Sequence, residues 1–167
     1  FELNIQKNIF VTKKLNKYKF IKATQKDVEQ IKNISKNLFI DSRYYFDLNF
    51  PRNKVKDFYQ NWSEKAVYGQ YDNFAYILKE NFAILAFITI KLESKNIANI
   101  SLIGVNYKFQ NRGLGSLIVS KTINKLKKLG IKKIYVVTQG RNYYAQNLYQ
   151  SNGFKTKSLQ LWYHKWF

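Results

Sequence analysis

Apolar side chains recur with two different periods along this 167-residue chain, and the change of period predicts its secondary structure. Continuous or alternating apolar runs, which are typical of strands, occur at residues 74–79, 82–92, 98–108, 134–138 and 158–167. Apolar residues three and four apart, which are typical of helices, occur at 24–38, 53–68, 114–129 and from 142 onward. The apolar and polar pattern of residues 1–22 predicts one or two further strands.

The order of these elements predicts a single α/β domain. Three strands follow one another between the second and third helices, and later strands alternate with helices, which favours a mixed sheet flanked by helices. A chain of 167 residues that is 46% hydrophobic can bury one sizeable core, so we expect one domain over residues 1–167. Because the chain begins at Phe1 and contains no methionine, we expect this domain to be the C-terminal part of a longer protein.

Residue types that are absent or rare exclude several kinds of chemistry. The chain has no cysteine, which excludes a disulfide framework, a thiolate metal site and an acyl-cysteine intermediate. Its one histidine, His164, leaves no histidine cluster for a metal and no supported Ser/His/Asp triad. His164 lies in a predicted strand, where a structural or solvent-exposed role is favoured over contact with a substrate. No apolar run is long enough to span a membrane and no signal-peptide pattern occurs, which predicts a cytoplasmic location.

The net charge of +19 suggests an anionic partner. Such an excess is compatible with binding to nucleic acid, an anionic membrane surface or phosphorylated ligands. Lysine accounts for 25 of the 29 basic residues and is spread along the chain, which indicates a compositional bias. The four arginines instead fall within or beside motifs, at positions 43, 52, 112 and 141. Because arginine offers phosphate a rigid two-pronged donor, this distribution favours a small phosphorylated ligand. A basic nucleic-acid-binding module is the alternative.

A short run that contains two glycines separates the predicted strand at 98–108 from the helix that follows it. Its sequence is Gln110-Asn111-Arg112-Gly113-Leu114-Gly115. Two glycines at the start of a helix let backbone N–H groups approach a ligand closely, and the helix dipole adds positive potential there. A pyrophosphate suits such a site, although a tight turn between strand and helix would produce the same pattern.

A second motif follows the glycine run, and the two together carry a family resemblance. The strand at 134–138 is followed by Asn142-x-x-Ala145-x-x-Leu148-Tyr149 and then by Gly153-Phe154. Residues 98–154 therefore resemble the acetyl-CoA-binding half of the GNAT superfamily of N-acetyltransferases. The resemblance implies a GNAT-like α/β fold with a mixed, splayed β-sheet, acetyl-CoA as the co-substrate and no metal.

The same resemblance implies which residues bind the co-substrate. Backbone amides of residues 111–116 and the Arg112 side chain would hold the pyrophosphate, and the pantetheine arm would lie between the strand at 103–105 and the strand at 82–92. A backbone N–H near Ile103 would polarise the thioester carbonyl. The expected cofactor-binding residues are Ile103, Val105, Gln110, Asn111, Arg112, Gly113, Leu114, Gly115, Ser116, Asn142 and Ala145.

Tyr149 is the expected catalytic residue. By the resemblance it points at the cofactor sulfur, and a phenol with an ordinary pKa of about 10 can protonate a departing thiolate. The structural alternative is a core tyrosine packed against Ala145 and Leu148. The base that removes the amine proton is not evident, and the candidates for it are Glu2, Asp41, Glu80 and Glu93.

A narrower resemblance concerns the acceptor. The segments Asp41-Ser42-Arg43, 58–69 and Val137-Thr138-Gln139-Gly140 are similar to the bacterial dTDP-fucosamine acetyltransferases. That similarity implies a nucleotide-linked amino sugar as the small-molecule substrate, with substrate-binding residues Arg43, Tyr44, Tyr59 and Gln139. A GNAT enzyme that acts on a protein N-terminus or on a lysine amine is the alternative. We expect neither a specific nucleic acid nor a membrane as a partner, and the oligomeric state is left open, with a homodimer as one option.

Overall fold

The computed structural model describes residues 1–5 and 17–167, which form a six-stranded sheet covered by helices. The strands are β1 Glu2–Asn4, β2 Lys19–Lys22, β3 Phe74–Glu80, β4 Ala83–Ser94, β5 Ile97–Val105 and β6 Lys133–Val136. The helices are α1 Val28–Ser35, α2 Arg43–Phe46, α3 Arg52–Val67, α4 Leu114–Lys128 and α5 Tyr143–Ser151. Short 3-10 turns at Gln25–Asp27 and Tyr107–Phe109 precede α1 and α4.

The strand order is β1-β6-β5-β4-β3-β2, and every neighbouring pair is antiparallel except β5 and β6. Helix α4 connects these two parallel strands, which need a long crossover connection. The predicted α/β class with a mixed sheet flanked by helices is therefore confirmed.

Alternating side chains of the central strands build a core on each face of the sheet. Ile77 and Phe87 pack on the same side as α1 and α3, whereas the next residues along each strand, Leu78 and Ile88, pack on the side of α4. All four side chains are fully buried. This period of two separates the molecule into a layer of α1, α2 and α3 on one face and a layer of α4 and α5 on the other.

Two local signals in the sequence form as predicted. The hairpin between β3 and β4 turns through Asn81, whose φ of +52° is a left-handed conformation that asparagine tolerates. The Asp27 carboxylate accepts a hydrogen bond from the backbone N–H of Thr24 at 2.9 Å, which is one half of a capping box. These contacts fix where β4 and α1 begin.

Strand β5 contains a bulge at the level where the sheet opens. Its register with β4 skips Ser101, which is therefore the extra residue of the bulge. The parallel pairing of β5 with β6 ends one residue earlier, at Ile100. Because a bulge bends its strand and increases the local twist, the part of β5 beyond Ser101 diverges from β6.

A buried carboxylate holds the bulged residue. The Ser101 hydroxyl donates to Oδ1 of Asp72 at 2.7 Å, and the indole N–H of Trp62 donates to Oδ2 of the same residue at 3.0 Å. Asp72 is only 2% exposed, so both of its oxygens find partners within the protein, as buried polar groups require. The bulge in β5 is thereby linked to α3.

Some of the sequence predictions differ from the structure. The prediction that β5 separates from β4 is wrong, since these strands stay paired as far as Val105 and the sheet splays between β5 and β6 instead. Strand β6 ends at Val136 and not at residue 138, because no strand lies beside it once β5 has diverged. Residues 158–167 form no strand.

The N-terminal prediction can be compared with the structure only in part. Of the strands expected within residues 1–22, β1 and β2 are present, and residues 6–16 lie outside the described residues. Within residues 1–5 and 17–167, no helix is both long and apolar enough to cross a membrane.

Candidate active site

A cleft of about 1340 Å³ opens where β5 and β6 separate. Residues 101–105 of β5 and residues 137–139 after β6 line it on either side of the gap. On the α4 side it is lined by the glycine run and α5, and on the α1 side by α1, the segment leading into α2, and α3. Since these helices cover opposite faces of the sheet, the cleft passes between the two strands from one face to the other.

Strand β5 directs two backbone N–H groups into this gap. The N–H of Leu102 donates to the side-chain hydroxyl of Thr89 at 3.0 Å, and the N–H of Asn106 donates to the carbonyl oxygen of Leu85 at 2.9 Å, both acceptors being in β4. Because successive residues of a paired strand turn their backbone groups toward opposite neighbours, the N–H groups of Ile103 and Val105 point away from β4. The carbonyl oxygen of Val105 accepts a hydrogen bond from the Gln110 side chain at 3.4 Å. The gap therefore offers free backbone donors to an extended ligand.

The glycine run adopts a turn that converges its N–H groups. Asn111 and Gly113 both have left-handed backbone conformations, with φ of +60° and +73°. Within the described part of the chain, no group accepts a hydrogen bond from the backbone N–H of residues 111–116. A concave turn of unpaired N–H groups at a helix N-terminus favours an anion through direct donation and through the helix dipole.

Three of the expected cofactor-binding residues make contacts with other parts of the protein. A side chain at Gly115, which lines the cleft, would meet Leu148 of α5 at 3.4 Å and Val105 at 3.8 Å, so this glycine allows α4 to approach its protein neighbours. The Arg112 guanidinium lies over the Phe109 ring, and the Ser116 hydroxyl pairs with Asn152. Neither Arg112 nor Ser116 lines the cleft, whereas the other predicted cofactor-binding residues do.

Helix α5 brings the predicted catalytic tyrosine to the cleft. Its N-terminus is capped by the Asn142 side chain, which accepts from the backbone N–H of Ala145 at 3.0 Å. Tyr149 lines the cleft yet is only 3% exposed, with its ring packed near Phe1 and Phe154. Burial raises the pKa of the Tyr149 hydroxyl well above its ordinary value. The group is therefore protonated and able to donate a hydrogen bond throughout the neutral range.

The predicted acceptor residues Arg43, Tyr44, Tyr59 and Gln139 all line the same cleft. The Arg43 guanidinium lies over the Tyr44 ring and donates to its hydroxyl at 2.8 Å. Tyr59 is 8% exposed and stacks on Phe39 with ring centroids 4.3 Å apart, and its burial raises the pKa of its hydroxyl. Tyr59 is therefore the buried member of the group, whereas Arg43, Tyr44 and Gln139 are partly exposed.

Asp41 is the one carboxylate among the described residues that line the cleft. It is half-buried and makes no hydrogen bond or ion pair within the described residues. The other three candidates for a base lie elsewhere and are paired with lysines: Glu2 with Lys157, Glu80 with Lys17 and Glu93 with Lys91. A partly desolvated carboxylate without a cation is a suitable partner for an incoming ammonium group.

Sequence reasoning missed four residues with polar groups on the α1 side. Gln30, Asn33, Asn37 and Trp62 line the cleft, although the helical pattern around each of them indicated only a solvated or core-facing position. Asn33 and Asn37 are four residues apart, a spacing that would place them on one face of a helix. This spacing is the one signal that could have indicated their position in the cleft. No group of three or more metal-ligating side chains occurs in the part of the chain that the structure describes.

The model of the acetyltransferase (GNAT) family matches residues 38–154, which include the bulge, the glycine run and α5. The chain belongs to the GNAT family of acetyltransferases. It is thus an N-acetyltransferase whose acyl donor is acetyl-CoA, and the predicted enzyme class and co-substrate are confirmed.

Two relatives of known activity are similar to this GNAT protein in sequence. The ribosomal protein bS18 alanine N-acetyltransferase of Salmonella typhimurium is 28% identical over 107 residues, which cover 62% of this chain and 70% of the relative. Its counterpart in Escherichia coli K12 is 27% identical over the same extent. The narrower resemblance to dTDP-fucosamine acetyltransferases is not supported by these relatives.

Solved structures show the same fold. The PaiA N-acetyltransferase of Thermoplasma acidophilum in complex with coenzyme A has a TM-score of 0.72 at 14% identity, over 86% of this chain and 92% of that one. The ribosomal-protein-S18-alanine N-acetyltransferase of Escherichia coli has a TM-score of 0.63 at 21% identity, over 84% and 79%. The aminoglycoside acetyltransferase AAC(6')-Iy with CoA has a TM-score of 0.65 at 14% identity, over 93% and 99%.

Replacing Gly113 by alanine should weaken acetyl-CoA binding about tenfold, or ~1.4 kcal/mol, because its left-handed conformation aims the N–H groups of the turn. Gly69 after α3 is a matched control, since its φ is also +73° and a side chain there would meet nothing within 4 Å. Gly113→Ala and Gly69→Ala should each lose about 1–2 kcal/mol of stability. Calorimetric titration with acetyl-CoA and urea unfolding measure the two effects. Equal affinities for the two variants would contradict a role of the turn in binding.

Proposed function

We propose that this GNAT enzyme transfers the acetyl group of acetyl-CoA to the α-amine at the N-terminus of a peptide or protein. The observation that carries this proposal is the single unpaired carboxylate, Asp41, among the described residues on the α1 side of the cleft, where it lies beside Arg43 and neutral side chains. An N-terminal peptide presents one ammonium group followed by a neutral backbone rich in donors and acceptors. The activity of the bS18 alanine acetyltransferases, which are 27–28% identical to this chain, supports the same choice.

The charges of the cleft argue against a polycationic acceptor. Of the described residues that line it, the charged ones are Asp41, Arg43 and Lys108. Two cations and one anion would repel an aminoglycoside, which carries several ammonium groups, and the whole chain has a net charge of +19. Asn33 and Asn37 instead offer amide groups that suit a peptide backbone.

The basicity of the amine favours a protein N-terminus over a lysine. The ordinary pKa of an α-amino group is about 7.7–8.0 and that of lysine about 10.4, so the neutral, nucleophilic fraction at pH 7 is roughly 300-fold larger for the α-amine. Of the described residues that line the cleft, one is a carboxylate and none is a histidine, so the site has little means to deprotonate a lysine. An α-amine needs much less assistance.

The donor is proposed to bind along the gap between β5 and β6. The N–H groups of Ile103 and Val105 would pair with the pantetheine arm, and the turn at residues 111–116 would hold the pyrophosphate. The exposed Arg112 side chain lies next to this turn, where it adds positive charge for the phosphates. Because the amide of Gln110 already bonds the Val105 carbonyl, the pantetheine arm would replace this side chain as the partner of that carbonyl.

The transfer itself is a direct attack of the amine on the thioester. Asp41 binds the ammonium group and accepts its proton, directly or through water, and the neutral nitrogen attacks the carbonyl carbon. The N–H of Ile103 stabilises the negative oxygen of the tetrahedral intermediate. When the C–S bond breaks, Tyr149 donates a hydrogen bond to the departing sulfur. The nitrogen loses two protons in all: the first passes from the ammonium group to Asp41 and on to water, and the second, lost after the attack, balances the one that the CoA thiolate gains.

A screen of amines tests the proposed acceptor. Release of CoA should be fastest with peptides that have a free N-terminus, at least tenfold slower with the same peptides acetylated at the N-terminus but containing a lysine, and slower still with aminoglycosides. Mass spectrometry of the products locates the acetyl group. Acetylation of dTDP- or UDP-linked amino sugars in preference to all peptides would overturn the proposal. It would favour a nucleotide-linked amino sugar as the substrate, with Arg43 in the cleft as a partner for its phosphates.

Two isosteric variants provide the control for this screen. Asp41→Asn should raise the KM of the accepted peptide at least tenfold and leave the KM of acetyl-CoA within twofold, because one partner of the ammonium is lost. Glu93→Gln removes the same charge from the exposed end of β4 and should change neither. An equal response of both variants would show that only the net charge matters.

Tyr149→Phe should lower kcat by roughly 10²-fold or more with little change in acetyl-CoA binding, because the hydroxyl acts on the leaving sulfur in the transition state. Tyr144→Phe on the same helix is the control, since Tyr144 also lines the cleft but is 90% exposed. Single-turnover kinetics and calorimetric titration measure the two quantities. An unchanged chemical step in Tyr149→Phe would assign this tyrosine to packing alone.

A further inference from the structure

The C-terminal segment 162–166 packs against α2 and the residues that follow it, and we call it the C-terminal clasp. His164 Nδ1 lies 2.5 Å from Oδ2 of Asp47, and the indole N–H of Trp166 donates to the same oxygen at 3.0 Å. The Phe50 ring meets both side chains edge-on, with centroid distances of 5.4 Å to His164 and 5.1 Å to Trp166. Two hydrogen bonds and two ring contacts thus hold the clasp against Asp47 and Phe50, in the segment that follows α2.

The clasp also contacts two residues that line the cleft. The Trp162 ring lies under the Arg43 guanidinium, with 4.6 Å from Cζ to the ring centroid. The His164 ring stacks on Tyr44 with an interplanar angle of 16° and a centroid distance of 6.0 Å. Because Arg43 is itself bonded to Tyr44, both side chains of α2 that face the cleft are held by clasp residues.

Helix α2 depends on such neighbours for its position. It has four residues, Arg43–Phe46, none of which is buried. A helix of this length is not stable by itself in water, and the cap from Ser42 to the N–H of Tyr45 at 3.2 Å fixes only its start. The stabilising contacts therefore come from the chain that packs on it: α3, whose Phe58 meets Tyr44 and whose Arg52 lies over the Tyr45 ring, and the clasp.

The clasp adds little to the hydrophobic core. Trp162 is 67% exposed and Trp166 is 52% exposed, and neither belongs to either core cluster of the described residues. Burial acts to raise the pKa of Asp47, but the hydrogen bonds from His164, from the backbone N–H of Asn49 and from Trp166 hold that pKa below its ordinary value. The Asp47 carboxylate is therefore ionised at neutral pH, which strengthens its bonds to the clasp.

We propose that the C-terminal clasp is the outer wall of the acceptor site, and that Trp162 and His164 are positioning residues that orient Arg43 and Tyr44 toward the acceptor. The proposal rests on the proposed function in taking the α1 side of the cleft as the place of the acceptor amine. The N–H groups of Arg43 suit a carbonyl or carboxylate oxygen of the peptide beyond its first residue. The clasp would thus govern which N-terminal sequences the enzyme accepts.

Hydrogen exchange of the free enzyme tests whether the clasp holds α2. In Trp162→Ala and in His164→Ala, the backbone N–H groups of Tyr45 and Asp47 should exchange about tenfold faster, while those of α4 keep their rates. Tyr163→Ala is the matched control, because its side chain is 83% exposed and its loss should leave α2 unchanged. Trp162→Phe keeps an aromatic ring beside Arg43 and should restore most of the protection. Unchanged exchange in both alanine variants would overturn the proposal.

Steady-state kinetics test whether this positioning serves the acceptor. The acceptor is the best amine that the unaltered enzyme accepts. Trp162→Ala and His164→Ala should each raise the KM of this acceptor about tenfold and leave the KM of acetyl-CoA within twofold. Trp162→Phe should keep the acceptor KM close to that of the unaltered enzyme. Faster exchange of α2 with an unchanged acceptor KM would overturn the role in the acceptor site. If that amine is not a peptide, the proposed acceptor fails, while the two measurements still decide the role of the clasp.

Discussion

The hydrogen bonds that hold Ser101 are the constraint on which the rest of the site depends. The bulge at this residue ends the pairing of β5 with β6 and turns the following backbone into the cleft. Asp72 fixes it by accepting from Ser101 on one oxygen and from Trp62 on the other. Because Trp62 also lines the α1 side of the cleft, one buried carboxylate links the opening in the sheet to the helix that faces the acceptor.

Opening a sheet leaves backbone donors and acceptors without partners, which costs free energy unless a ligand or water satisfies them. In this protein the cost falls on a few residues at the end of β5, and the same unpaired groups become the binding surface for a ligand with an extended amide-containing arm. The glycine run adds N–H groups for an anion at the next turn of the chain. Polar groups that would destabilise a closed sheet are thus used for recognition.

The sequence was informative where structure is set by local chemistry. The hairpin at Asn81, the turn at Gly113 and the apolar stripe of α4 are each encoded by neighbouring residues, and each formed as predicted. The two motifs were sufficient to identify the family, and most of the predicted site residues line one cleft. Their roles in binding and catalysis stay predictions.

The failures concern partners that are distant in sequence. Alternation along β5 is the same whichever neighbour it leaves, so the pattern could not distinguish a split from β4 from a split from β6. The apolar alternation at 158–167 predicts a strand, but β1 has three residues, and among the described residues its outer edge forms one bridge, between Glu2 and Lys155. The contacts of the clasp with Asp47 and Arg43 span more than a hundred residues, and no local signal indicates them.

Residue-resolved hydrogen exchange of the N–H groups of β5, with and without coenzyme A, tests the central claim most directly. If the donor lies in the gap between β5 and β6, coenzyme A should slow the exchange of Ile103 and Val105. Leu102 and Gly104, whose N–H groups already face β4, should keep their exchange rates. Two results would contradict the claim: equal protection of all four residues 102–105, or no protection of Ile103 and Val105 when coenzyme A is bound. Either result would place the donor elsewhere.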